Sequence, residues 1–149
     1  MTLKERLTED MKTAMRAREE GRERLSVIRI ALAEVKNAEV DKRRELTDEE
    51  VLAVLNREVR QRQEALAEAE RGGREDVVRK LQRETEILRV YLPEPLGEAE
   101  LERLVREAIE AVGAAGPSDL GKVMGRLMPQ VKGRADGKAL NELVRRLLS

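Results

Sequence analysis

The spacing of the apolar residues is the feature that most constrains the fold of this chain. Leucine, valine, isoleucine, methionine and alanine recur three or four positions apart through almost the whole sequence, which is the period of a helix with one buried face. Two pairs, Thr2 with Glu5 and Thr47 with Glu50, have the spacing of a capping box at a helix start. The pattern therefore predicts an all-α protein.

Four helices are expected before residue 93. The first breaks at Gly21, and the third begins at Thr47 and ends before Gly72 and Gly73. The second carries a stripe from Leu25 to Val35, with further apolar side chains on its other side, so we expect it to be central and covered all round.

Two prolines, Pro93 and Pro95, form the clearest boundary, because neither they nor the residues before them favour helix. We expect an N-terminal four-helix unit over residues 1–93 and a C-terminal three-helix tail over residues 94–149. Within the tail, Ser118 and Asp136 are expected to cap the second and third helices, and Pro129 to kink or end the second.

Charged residues on the helical stripes of the first unit require partners if they are buried. Arg29 lies within the apolar run of the second helix, and Glu84 lies on the inner stripe of the fourth. We therefore expect an Arg29–Glu84 ion pair. Glu58 and Arg62, four residues apart, are expected to form an ordinary pair on the helix surface.

The composition offers no residues for catalysis. The chain has no cysteine and no histidine among its 149 residues, and none of its serines has a base in view. The segment from Gly133 to Lys138 lacks the spacing of a phosphate-binding loop. We expect no enzyme activity, no metal and no cofactor. The polar start of the chain and the absence of a long apolar run favour a cytoplasmic protein, and the balanced surface and the lack of a long heptad seam favour a monomer.

The segment from Asp119 to Asn141 is the candidate binding site. It places four glycines and five basic residues in 23 positions, although glycine costs a helix roughly 1 kcal/mol relative to alanine. We expect bare backbone and cationic side chains to share one exposed surface, made of Gly121, Lys122, Gly125, Arg126, Lys132, Gly133, Arg134, Lys138, Asn141 and Arg145. Alternatively, Gly121 and Gly125 allow close helix packing, and Gly133 and Gly137 simply close turns.

The nature of the ligand follows from charge and from aromatic content. Seven basic residues face three acidic ones after Pro117, whereas the whole chain carries 30 of each. With one tyrosine and no tryptophan or phenylalanine, there is almost nothing on which bases could stack. The segment is suited to an RNA backbone, with lysine and arginine on phosphates and Asn141 on ribose.

The whole chain resembles the GatB/YqeY family, small bacterial proteins related to the tail of the B subunit of the tRNA-dependent amidotransferase. The residues that carry the resemblance are Gly121, Val123, Met124, the run Lys132-Gly133-Arg134-Ala135-Asp136, Asn141, the segment from Leu25 to Lys36 with Arg29, the segment from Leu46 to Val51, and Tyr91-Leu92-Pro93. The resemblance implies a helical N-terminal unit followed by a three-helix tail, of a kind that engages tRNA in the amidotransferase. It does not imply the glutamine-dependent carbon–nitrogen ligase activity, because nothing here corresponds to the catalytic part of the amidotransferase.

Two functions remain open at this point. One is a module that binds tRNA through the tail, and the other is an adaptor that docks on a protein of the tRNA-charging or translation machinery. Exposed Met124 and Met128 would favour the adaptor, because methionine suits adaptable protein contacts. Buried methionines beside an exposed basic ridge would favour RNA.

Overall fold

A computed structural model describes residues 1–149, and it contains seven α-helices and no strand. The all-α class is therefore confirmed. The helices are α1 (Leu3–Arg16), α2 (Arg22–Lys42), α3 (Asp48–Arg71), α4 (Glu75–Arg89), α5 (Glu98–Val112), α6 (Leu120–Val131) and α7 (Gly137–Leu148), with short 3-10 turns at Arg18–Gly21 and Pro117–Asp119. The chain divides into two compact units, Met1–Leu92 and Pro93–Ser149.

Helix α2 supplies part of the core of the first unit, but it is not covered all round. Its Val27, Ile28, Ala31 and Val35 are buried together with side chains of α1, α3 and α4. Ile30, in contrast, is 46% exposed, and Arg29 beside it is exposed. The expectation of a fully covered helix is thus wrong, because one long face of α2 lies against solvent.

Capping and close packing set the helix boundaries of this unit. Thr47 and Glu50 form the predicted capping box at the start of α3, and the Thr2 hydroxyl accepts a hydrogen bond from the Glu5 N–H. Helix α1 ends at Arg16, before Gly21. At Gly21 a Cβ atom would lie 2.1 Å from the Ala14 carbonyl oxygen, so only glycine permits this approach of backbone to backbone.

The charged residues pair differently from the prediction. Glu84 accepts a hydrogen bond from Arg62 Nε at 3.1 Å, and Arg62 Nη1 donates to Glu58 Oε2 at 2.8 Å. Glu58 is 6% exposed and Arg62 is 8% exposed. Both expectations are therefore wrong: Arg29 does not pair with Glu84, and Glu58–Arg62 is not a surface pair. Packing of α3 against α4 turns these three groups inward.

The end of α4 is tied to α1 through the single aromatic residue. The Tyr91 hydroxyl donates to the Asp10 carboxylate, and the Arg6 guanidinium lies 4.7 Å from the centre of the Tyr91 ring. Burial and the hydrogen bond to Asp10 raise the pKa of Tyr91 to about 12. Tyr91 thus joins the core of the first unit at its last residues.

The second unit has its own core between α5, α6 and α7. Its buried members are Val105, Ala108, Val123, Leu127, Val131, Leu140, Val144 and Leu148. The Leu96 N–H donates to the Arg134 carbonyl at 2.9 Å, which joins the segment after the prolines to the loop between α6 and α7.

One of the three expectations about helix ends in this unit is wrong. Asp136 caps α7 as predicted, accepting from the Ala139 N–H. Ser118 does not cap α6, because it lies inside the 3-10 turn that leads into that helix. Pro129 lies in the last turn of α6, which ends two residues later at Val131. A proline in the last turn removes only one backbone hydrogen bond there.

Candidate nucleic-acid interface

Helix α6 presents its two glycines to solvent. Val123, Leu127 and Val131 bury the opposite side, while Gly121 and Gly125 are exposed. A Cβ atom added at either glycine would meet no atom within 4 Å. Close helix packing therefore does not explain these residues, and each leaves the helix backbone open to a ligand.

The cations of α6 are next to this bare backbone. Lys122 Nζ lies 3.8 Å from Asp119 Oδ1, and the Lys122 side chain is 73% exposed. The hydrogen bond from the Ala115 N–H, and then the charge of Lys122, hold the pKa of the Asp119 carboxyl below its ordinary value. Arg126 is exposed and makes no hydrogen bond or ion pair. A full positive charge is thus available at Arg126.

The loop between α6 and α7 combines a required turn with further cations. Gly133 has φ +78°, so the turn itself accounts for this glycine. Lys132 and Arg134 are exposed on either side of it. Arg134 Nε donates to the Glu94 carbonyl at 3.1 Å, which positions its side chain without neutralising its charge.

Helix α7 adds three of the predicted residues. Lys138 is exposed in the first turn and lies in no ion pair. Asn141 is half-buried, and its Oδ1 accepts a hydrogen bond from Arg145 Nε at 2.8 Å. One lone pair of the Asn141 side-chain oxygen is therefore engaged within the helix, while its NH2 group makes no hydrogen bond within the chain.

We call the exposed faces of α6 and α7, together with their connecting loop, the tail surface. It carries most of the basic residues of its unit, whereas α5 is acidic and its Arg103 and Arg106 are paired with Glu107 and Glu102. Charge in this unit is thus separated by helix. A polyanion would meet its cations on the tail surface and its carboxylates on α5.

The two methionines of α6 divide between the core and the surface. Met124 is half-buried against the core of its unit, whereas Met128 is 39% exposed. The structure therefore matches neither the two exposed methionines expected for an adaptor nor the two buried methionines expected for RNA binding. Only Met128 is available for contact with a protein partner.

Pro129 is a member of the tail surface that sequence reasoning missed. It is exposed and follows Gly121 and Gly125 at four-residue intervals, which places all three along one side of α6. Because proline has no N–H, the Gly125 carbonyl lacks its usual helical donor. The four-residue spacing was the signal that could have identified Pro129.

Comparison with known proteins agrees with the resemblance seen in the sequence. A family model described as "Yqey-like protein" matches residues 4–148. The chain is 33% identical over 132 residues to altered inheritance of mitochondria protein 41, mitochondrial, of Pyrenophora tritici-repentis. That match covers 87% of this chain and 71% of that protein.

Two shorter matches concern an amidotransferase. The E subunit of glutamyl-tRNA(Gln) amidotransferase from Thermococcus gammatolerans is 46% identical over 55 residues, and its counterpart from Thermococcus sibiricus is 46% identical over 52 residues. Each match covers 34% of this chain but only 9% and 8% of the respective amidotransferase chains. These partial matches support the resemblance to an amidotransferase tail.

None of the seven helices is both long and apolar enough to span a membrane.

Proposed function

Because the chain belongs to the Yqey-like protein family, we propose that it is a non-catalytic helical module that binds the tRNA backbone through its tail surface. The observation that carries the proposal is the exposure of Gly121 and Gly125 beside the unpaired cation Arg126. The partial matches to an amidotransferase whose name includes tRNA support the choice of RNA. A cytoplasmic location belongs to the same proposal, although one relative is described as mitochondrial.

The chemistry of this surface fits phosphate and backbone shape rather than base identity. Lysine and arginine bind phosphate oxygens through charge-assisted hydrogen bonds. A helix without side chains at two positions lets a phosphate–sugar backbone approach closely. The one aromatic side chain, Tyr91, is buried in the first unit, so base stacking makes no contribution.

A protein adaptor is the second candidate function. The observation that favours it is Met128 of α6, which is 39% exposed. Methionine is common at surfaces that bind varied partners. An adaptor would not require the cations of α6 and α7 to meet phosphate, so salt dependence separates the two functions.

The test is a titration of unfractionated deacylated tRNA into the full chain at several salt concentrations. Four phosphate contacts, by Lys122, Arg126, Lys132 and Lys138, should give a slope of about −3 to −4 in log K against log salt. With that slope, affinity should fall roughly 60- to 250-fold between 50 and 200 mM salt. An absence of tRNA binding at the lowest salt would refute the RNA proposal and leave the adaptor.

A further inference from the structure

The outer face of α2 carries an exposed strip of five residues, three of which are apolar. Along one side of this helix, successive exposed residues are spaced four, three, four and three positions apart: Ser26, Ile30, Ala33, Asn37 and Val40. Ile30 is 46% exposed and Val40 is 67% exposed. This spacing is the 3.5-residue repeat with which two helices pack along a common seam.

Charged residues border the strip with one sign on each side. At 100° per residue, Arg29 and Lys36 lie along one edge, and Glu34 and Asp41 lie along the other. Arg29, Lys36 and Asp41 are exposed and make no ion pair within the chain. Glu34 reaches Arg57 at 3.3 Å on the surface and keeps 41% of its side chain exposed.

We propose that this strip binds a second copy of the chain, with the two α2 helices parallel and in register. In a parallel pair, the cationic edge of each helix faces the acidic edge of the other. Arg29 would then meet Glu34 of the second copy, and Lys36 would meet Asp41 of the second copy, each five residues further along. The twofold axis repeats both pairs, so four opposite-charge contacts flank the seam.

Charge also disfavours the antiparallel arrangement. In two antiparallel copies, the cationic edge of one helix, with Arg29 and Lys36, would face the cationic edge of the other. The acidic edges, with Glu34 and Asp41, would also face each other. Like charges at such positions are destabilising. Asn37 occupies a seam position, where a single asparagine fixes register at a cost in stability.

The short seam sets the strength of the association. Stable coiled coils usually sustain their repeat over three or four heptads, and this strip spans two. A weak dimer is therefore consistent with the exposure of Ile30 and Val40 in the single chain. It also replaces the expectation of a monomer, which rested on the lack of a long heptad repeat.

Sedimentation equilibrium tests the contact surface. The weight-average mass of the full chain should rise from 16.9 kDa toward twice that value as concentration increases to about 1 mM. Val40→Glu should keep the chain monomeric throughout. Val90→Glu is the matched control, because Val90 is 60% exposed but lies outside the strip, and it should dimerise like the parent. A parent that stays monomeric, or a Val40→Glu variant that still dimerises, would overturn the proposal.

Disulfide trapping tests the orientation in a chain that has no cysteine of its own. Ser26→Cys and Val40→Cys, made separately, place thiols 14 residues apart, or about 21 Å along the helix. In a parallel, in-register pair, the introduced thiol lies next to the same thiol of the second copy. Both variants should therefore form covalent dimers under mild oxidation. An antiparallel pair could trap one variant at most. Cross-linking of only one variant, or of neither, would contradict the parallel pair.

Discussion

Replacing Arg62 with alanine should lower the free energy of unfolding of the first unit by about 3–5 kcal/mol. The substitution removes the only cation within hydrogen-bonding distance of Glu58 and Glu84, and it leaves Glu58 buried without an ion-pair partner. Urea unfolding followed by the fluorescence of Tyr91 is the appropriate measurement. Tyr91 is the only aromatic residue and is buried in this unit, so its signal reports on residues 1–92 alone.

Two controls separate the loss of this ion pair from a general effect of removing arginine. Arg29→Ala removes an exposed arginine without an ion pair and should change stability by no more than about 0.5 kcal/mol. The triple change Glu58→Leu, Arg62→Met and Glu84→Leu should be close to neutral or stabilising, since apolar side chains can replace a buried ionic cluster. Equal effects of Arg62→Ala and Arg29→Ala would show that the cluster does not stabilise the unit.

Reversing two unpaired cations of the tail surface should reduce tRNA affinity by about 100-fold or more at low salt. In the variant Arg126→Glu with Lys138→Glu, two phosphate contacts are lost and two repulsive charges appear on the same surface. The salt slope should fall by about 2, roughly one for each cation removed. Filter binding over a salt series measures both quantities, and the thermal unfolding temperature should stay unchanged.

The matched control is Arg103→Glu with Arg106→Glu. It makes the same change in net charge within the same unit, but on α5, where both arginines are paired with glutamates. We expect tRNA affinity to change by no more than about fivefold, because the new charges on α5 act on the tRNA only through long-range electrostatic repulsion. If this control loses as much affinity as the tail-surface variant, binding depends on net charge and not on α6 and α7.

The sequence was sufficient for most properties that depend on one helix at a time, although Ser118 does not cap α6 as expected. The apolar period predicts seven helices, and the Thr47 and Asp136 caps are local motifs whose geometry is set within a single turn. The exposure of Gly121 and Gly125 was one of two open alternatives. It could not be decided from the pattern, because the packing neighbours of α6 determine which part of its surface is covered.

Errors arose wherever a residue depends on a second helix. Helical spacing correctly placed Glu84 on an inner face. Its partner, however, is set by the packing of α3 against α4, which brings Arg62 and not Arg29 within hydrogen-bonding distance. The same packing buries Glu58, which was expected to lie on the surface. The hydrogen bond between Asn141 and Arg145 is local, at four residues, and could have been anticipated from their spacing.

Backbone amide NMR of the full chain, recorded while tRNA is added at low salt, tests most directly whether the tail surface is the binding site. The amide signals of Gly121 and Gly125 should shift or broaden first, together with those of Arg126 and Lys138. Signals from α5 and from the first unit should change little. Changes centred on α5 or on the first unit, with the two glycines unaffected, would contradict RNA binding by the tail surface.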